Sequence, residues 1–306
     1  MPKEEKEVKY IETPLYKGKV IVRFYPESHR YYVSVDGGRF TPTTGVTTYI
    51  GIKDKSRALS MWQQQITADY LFDKLDKKCK IGEDEIVEAI MQCEIKKEEA
   101  ADIGTDIHAW VENYIRFKLK QKGFEEMPDM PTRPEAVTGV NSFLDWEKAH
   151  KVKFISTETP VYSLKEGYVG IEDATFIADD LFCDGDWKSS NGLYNSVRMQ
   201  LAAYGNARME EGGKKTQGRW AIRFSKYSEK EYYAREERKR EIKRVIARIQ
   251  GKDYKETEPK PYQVFEAKFL DADKKFFARD LEMFLLCKKL TAWDKSTDPF
   301  IMGEDW

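Results

Sequence analysis

An α/β fold is predicted for this chain, with a strand core preceded by a mostly helical first third. Three observations predict it. The runs FISTETPVYS, VGIEDATFIA and LFCDGDWKSS between residues 154 and 190 are short and rich in β-branched and aromatic residues. The segments on either side carry helical spacing, and 306 residues are enough to bury a full core. One core with appendages is expected. In chain order, residues 19–35 place β-branched and aromatic residues on both sides of a Pro-Glu-Ser-His turn and are followed by Asp36-Gly37-Gly38, which reads as a small β-hairpin. From Ser56 to about Asp76, Leu59, Trp62, Ile66, Tyr70 and Leu71 fall along one side of a helix for which Ser56 is a fitting N-cap. Further helices are expected over about 84–94, about 97–121 and Glu135–His150. Beyond the three strands, Asn195–Glu210 returns to helix, Arg219–Ser225 and Tyr262–Ala267 to strand, and about 272–290 to a closing helix. The chain divides into a hairpin region (1–40), a helical lobe (41–134), a core (135–228), a charged insertion (229–258) and a C-terminal strand and helix completing the core (259–306).

With 41% hydrophobic and 34% charged residues, the composition is that of a soluble globular protein, and a net charge of -1 gives no global attraction to a polyanion. Nucleic acid would have to be held by local basic patches. No run of about 18 apolar residues occurs, and MPKEEKEVKY lacks the apolar stretch of a signal peptide, so a cytoplasmic protein with no membrane partner is expected. Cys79, Cys93, Cys183 and Cys287 are scattered without a CxxC pair, against a zinc ribbon or a disulfide framework.

The strongest chemical signal is Asp173, expected at the start of one strand, with Asp186-Trp187-Lys188 at the end of the next, joined through a tight Asp179-Asp180 turn. Alternation puts Phe182, Asp184, Asp186 and Lys188 on one face and Leu181, Cys183, Gly185 and Trp187 on the other. Carboxylates are hard ligands suited to Mg²⁺ or Mn²⁺, and a lysine two residues on can orient a water and stabilise charge at a phosphate. Taken alone, the same triplet is also what a solvated strand end carries. Upstream, Gly104-Thr105-Asp106-Ile107-His108 puts Gly104 and His108 on one helix face, with Glu112 one turn beyond. Downstream, Gln200 and Tyr204 share a face in the same way. Imidazole can ligate a metal, a glycine permits close packing, and Gln and Tyr can hydrogen-bond phosphate or the active strands.

In order and spacing, GxxxH, GYVGIED, DWKSS and QLAAY resemble the RecB-like branch of the PD-(D/E)XK nuclease superfamily. The segment TTGVTTYIGIKDKSRALSMWQQQITADYL is similar to the start of phage-encoded exonucleases and of the mitochondrial genome maintenance exonuclease, so the resemblance covers about residues 42–226. It implies a restriction-endonuclease-like core, a central mixed β-sheet flanked by helices. It also implies that Asp173 and Asp186 are metal-ligating carboxylates, Lys188 the catalytic lysine, His108 an additional ligand and the Trp187 carbonyl a further one. Gln200 and Tyr204 would lie on the helix that supports the site and meets the nucleic acid, and Glu158 would be an acidic support on the first core strand. Glu172 stands in place of the motif's proline, and Asp184 and Gly185 stand where family strands prefer apolar residues, which leaves the local register open. Some relatives carry an iron-sulfur cluster on one upstream cysteine and a C-terminal trio; Cys287 stands alone after Cys183, so no cluster is expected.

The resemblance implies one or two Mg²⁺ or Mn²⁺ ions and hydrolysis of DNA with a free or single-stranded end, in recombination, repair or phage DNA processing. For a phage-encoded chain the compartment would be the host cytoplasm. A structure-selective or restriction-like endonuclease and a catalytically silent nucleic-acid-binding module remain open alternatives. Between Arg235 and Lys252, eight Lys or Arg against three Glu form either a phosphate-tracking surface, a docking site for a helicase or recombinase, or a solvated charged helix. Trp62, Trp110 and Tyr114 are candidates for stacking on unpaired bases and equally for core positions.

Overall fold

Alternation along the first strands builds a sheet of their own. β1 (Ile11–Leu15), β2 (Val20–Tyr25), β3 (Arg30–Val35) and β4 (Thr41–Thr43) pair antiparallel in that order. The expected hairpin is β2–β3, turned at Pro26–His29, where the His29 amide donates to the Pro26 carbonyl at 3.3 Å. β1 and β4 add an edge strand on each side. Val20, Val22, Tyr31 and Val33 alternate onto one face and pack with Leu15 against Val169 of the second sheet. The computed structural model describes residues 9–53, 56–190, 192–271 and 274–294.

α1 (Val46–Ile50) buries Val46 and Ile50 beside Ala203 and Phe284, so this short helix belongs to the core rather than to the helical lobe. The lobe proper is α2 (Ser56–Asp76) and the first half of α3 (Glu83–Lys118). They run antiparallel: the Tyr70 hydroxyl bonds Glu88, and the Cys93 thiol donates to the Gln63 carbonyl at 3.5 Å. The two helices expected over 84–94 and 97–121 are one helix of 36 residues. Apolar spacing lapses at Ile95–Lys97, but the Glu and Lys residues there are good helix formers, and Lys97–Glu94 (3.2 Å) and Lys96–Glu99 (2.7 Å) pair along the surface. α4 (Pro134–Ala149) opens on a proline, which suits the first helical position.

The main sheet has the order β5 (Lys153–Ser163), β6 (Tyr168–Ala178), β7 (Leu181–Lys188), β8 (Gly218–Phe224) and β9 (Phe265–Asp271). Its neighbours are antiparallel except β7 and β8, which are parallel, so the sheet is mixed. A parallel step needs a crossover, supplied by α5 (Asn195–Glu210). β6 and β7 are joined at Asp179 and Asp180, both at positive φ (48° and 65°), the backbone of a tight hairpin turn. Most of the charged insertion is one helix, α6 (Glu229–Ile249). The last strand begins later than the expected Tyr262, because pairing starts at Phe224–Phe265; Tyr262 instead donates its hydroxyl to the Tyr227 carbonyl at 2.8 Å. α7 (Lys274–Asp294) closes the chain, and the first two residues expected of it lie outside the described residues.

Helices cover both faces of this sheet. On one, α4 and the second half of α3 bury Phe143 and Trp146 against Phe176, Trp187 and Phe224. Edge-on ring pairs at 5.3 Å (Trp146–Phe176), 5.5 Å (Phe143–Phe224) and 5.7 Å (Phe143–Trp187) each add about 0.5–1.5 kcal/mol beyond the area they bury. On the other face α5 and α7 pack Ala203, Tyr204 and Phe284 on Val161 and Tyr168. The fold is therefore α/β, a central mixed sheet flanked by helices, with a second, four-stranded sheet beside it. Among the described residues no helix is long and apolar enough to cross a membrane.

Candidate active site

The in-and-out alternation of β6 slips by one residue at Asp173. Before it, Tyr168 and Gly170 face α5: the Tyr168 hydroxyl donates to the Ala203 carbonyl at 2.8 Å, and a Cβ on Gly170 would meet the Tyr204 ring at 2.4 Å. After it, Ala174 and Phe176, of the same parity, face α4. The β5–β6 register is the same on both sides of Asp173, so the two strands slip together there without an inserted residue; the shift of register in this ladder lies at Phe154/Ser156. Opposite Asp173 on β5, between the pairs Thr157–Ala174 and Thr159–Glu172, Glu158 has a φ of +47°. That left-handed backbone costs a side-chain-bearing residue about 1–2 kcal/mol, and such strain collects at functional sites.

Asp173 lies in the middle of β6, not at the start of a strand as expected, because β5 pairs with β6 along its whole length. It lies where the β6–β7 ladder stops, at Ala174–Gly185. There the Trp187 amide, without a ladder partner on β6, donates to Asp173 Oδ2 at 2.9 Å, and Thr157 Oγ1 donates to the Asp173 carbonyl at 2.9 Å. On β7 the expected alternation is present: Cys183 and Trp187 enter the α4 side of the core, with Gly185 beneath the Phe176 ring, while Asp184 and Asp186 face α5. Asp186 is 0% exposed, and neither of its oxygens makes a directional hydrogen bond; the Lys188 ammonium lies 2.6 Å from Oδ2 as an ion pair. Burial pushes the carboxyls of Asp173 and Asp186 above the usual range, opposed by Lys188. Burial works against the Lys188 charge, but the two carboxylates outweigh it and hold its pKa up.

The glycine of GxxxH permits a close approach: a Cβ on Gly104 would stand 2.6 Å from Ser189 Oγ, just past β7. One turn later His108 comes within electrostatic reach of Lys188, Asp186 and Glu112. Burial, then Lys188, lowers its pKa, so the ring is neutral at pH 7 and neither nitrogen hydrogen-bonds among the described residues. Glu112 is gripped by Arg116, whose Nε and Nη2 donate to Oε1 at 2.9 and 2.7 Å. Glu158 sits among Asp173, Glu112 and Asp186, and burial followed by those neighbours raises its pKa. From α5, Gln200 Nε2 donates to the Tyr204 hydroxyl at 3.1 Å, and the Tyr204 ring braces Gly170. His108, Glu112, Glu158, Asp173, Asp186, Trp187, Lys188, Gln200 and Tyr204 thus meet from α3, β5, β6, β7 and α5, Trp187 through its main chain because its ring is in the core.

Two of the candidate stacking rings are core. Trp110 and Tyr114 are 4% and 7% exposed, stack on each other at 5.0 Å and have their polar atoms engaged by the Pro128 carbonyl and Glu147. Trp62 is half-buried on α2. Among the described residues, four of the eight basic residues between Arg235 and Lys252 are paired: Arg238 with Asp76 and Glu241, Lys239 with Glu236, Arg240 with Glu237, and Arg244 with Glu237 and Glu256.

Behind the site lies a second charged group that the sequence reading missed. Glu172 and Asp184, both fully buried, share one guanidinium: Arg208 Nη2 is 2.6 Å from Asp184, and Nε is 3.4 Å from Glu172. Burial, the leading cause for each, raises both carboxyls. A signal existed, since Gln200, Tyr204 and Arg208 recur every four residues along one face of α5. Tyr31, from the small sheet, reaches Glu158 closely enough for that carboxylate, after burial, to raise its pKa; no local spacing announces this contact.

Among the described residues, no three His, Cys, Asp or Glu side chains form a ready-made metal cage. The donor set nevertheless fits a hard divalent ion: a buried carboxylate with both oxygens lacking hydrogen bonds and a half-buried one, beside a neutral imidazole. Asp173, Asp186, His108 and the Trp187 carbonyl are the groups that would hold it. No protein-family model and no curated protein matches this chain.

Proposed function

We propose that the chain is a Mg²⁺- or Mn²⁺-dependent deoxyribonuclease of the RecB-like PD-(D/E)XK type, built on a restriction-endonuclease-like core and acting on free or single-stranded DNA ends. The observation that carries the reading is the meeting of Asp173, Asp186 and Lys188 with His108 of a distant helix, at the point where the β6–β7 ladder ends. When bound, a divalent ion supplies Lewis acidity toward a phosphoryl oxygen and acidifies water. The protein's own groups do the rest. Lys188 orients the attacking water and stabilises negative charge building on the phosphoryl group. The Trp187 amide fixes the Asp173 carboxylate, and Tyr204, bonded by Gln200, holds β6 from behind.

A catalytically silent nucleic-acid-binding module is the second reading, favoured by the lack of a ready-made metal cage among the described residues. The two readings separate when end-labelled single-stranded, duplex and circular DNA are incubated with wild type and Lys188→Ala, in Mg²⁺, Mn²⁺ or EDTA. The nuclease reading expects metal-dependent cleavage, reduced at least about 100-fold in Lys188→Ala, with closed circles spared by an exonuclease and cut by an endonuclease. Binding without cleavage under every metal would overturn it.

A further inference from the structure

Just beyond β8 a lysine is buried without a partner. Lys226 is 8% exposed, and its ammonium makes no ion pair or hydrogen bond among the described residues. Its Nζ is not among the enclosed polar atoms that lack a partner, so the buried stem carries an ammonium that reaches the surface. The charges nearest to Lys226 have its own sign: after burial, Arg235 and Arg223 depress its pKa. Arg223 pairs with Lys188 on the parallel β7–β8 rung and has one acidic partner, Glu266, at 3.2 Å. Arg235 is exposed, lies over the Tyr227 ring at 4.4 Å and makes no ion pair among the described residues, unlike Arg238, Arg240 and Arg244. Of the carboxylates near Arg235, Glu231 caps Ser228, and Asp69 of α2 acts only at a distance.

The backbone that carries Lys226 is fixed. The Ser225 amide donates to the Val264 carbonyl at 3.1 Å, Ser225 Oγ donates to the Tyr227 carbonyl at 2.9 Å, and Tyr262 donates to the same carbonyl at 2.8 Å. Because β7 and β8 are parallel, both deliver their carboxyl ends to one edge, where α/β sheets receive ligands. Lys226 lies three residues past the Lys188–Arg223 rung, on the order of 10 Å along the strand.

We infer that Lys226, Arg223 and Arg235 form a phosphate-binding site for a nucleic-acid strand whose neighbouring linkage reaches the Asp173–Asp186 centre. The site rests on the nuclease reading and extends it, naming where the strand is held. The phosphate is either internal to the strand or terminal, and the two are told apart by the ends of the probe.

The test is fluorescence anisotropy with single-stranded oligonucleotides bearing 5′-hydroxyl, 5′-phosphate or 3′-phosphate ends. The full chain, Lys226→Met and Arg235→Ala are compared in EDTA over a salt series. Losing one phosphate contact lowers the slope of log affinity against log salt by about 0.7 on single strands, which is roughly fivefold weaker binding at about 0.1 M salt. That loss is expected for both variants. Loss on every probe assigns a backbone phosphate, and loss confined to one phosphorylated end assigns a terminal one. Arg235→Ala, at an exposed position, reads the same site if Lys226→Met does not fold. Wild-type binding with unchanged affinity and slope in the variants overturns the phosphate site and leaves the nuclease reading standing. A wild type that neither binds nor cleaves overturns both.

Discussion

Replacing Lys188 with methionine should unfold the metal-free protein more easily, and added metal should repair most of the damage. Lys188 is the cation 2.6 Å from a carboxylate that is itself 1% exposed, and Asp173 lies beside it. With an effective dielectric of about 20, a charge pair at that distance is worth on the order of 6 kcal/mol. The Lys188 side chain is 28% exposed, so water screens part of this. Breaking buried pairs costs about 3–5 kcal/mol, and the lower end is expected here. For a chain of 306 residues, with an unfolding entropy of about 2.1 cal/mol/K per residue, about 3 kcal/mol is a fall of roughly 5 °C in melting temperature. Thermal melts in EDTA, followed by circular dichroism, measure it. Saturating Mn²⁺ should then narrow the gap between variant and wild type, because an ion held by Asp173, Asp186 and His108 takes over the neutralisation that Lys188 provided; binding at about 100 times Kd contributes roughly 2.7 kcal/mol. If the gap stays the same width with and without metal, the carboxylates do not share a cation-binding role with Lys188, and the reasoning fails.

Arg208→Met should destabilise by about 3–5 kcal/mol in urea titrations, since Glu172 and Asp184 would be left buried without their shared cation; a loss under about 1 kcal/mol would show that they do not depend on it. Gly170→Ala drives a methyl to 2.4 Å from the Tyr204 ring and should cost about 1–3 kcal/mol. Trimming the ring in a Gly170→Ala/Tyr204→Leu double variant should recover part of that cost, and strict additivity would mean that the two do not touch.

What the sequence made legible was what local periodicity encodes. Alternation in LFCDGDWKSS separated Asp186 and Lys188 from Trp187, and four-residue spacing put Gly104 with His108 and Gln200 with Tyr204, all as the structure has them. The break expected near residue 95 was an artefact of following apolar spacing alone: surface ion pairs and helix propensity carry α3 through that stretch. The slip of alternation at Asp173 leaves no mark in the residues of β6, because it is made together with β5 where the β6–β7 ladder ends. The electrostatic influence of Glu158 on Tyr31 joins segments far apart in the chain, which no window reads. The self-pairing of α6 was visible in its i,i+3 charges, although net charge counted over the segment concealed it.

The length of α3 has a mechanical consequence. At about 1.5 Å per residue its 36 residues span roughly 54 Å, and from Glu83 to Ile103 they include no glycine or proline at which to bend. One end carries α2, and the other is clamped in the core with His108 on its flank. The helical arm is therefore stiff as far as Ile103, and between it and His108 stands Gly104, packed against Ser189 at the end of β7, so any bending of the arm relative to the active centre falls on that glycine.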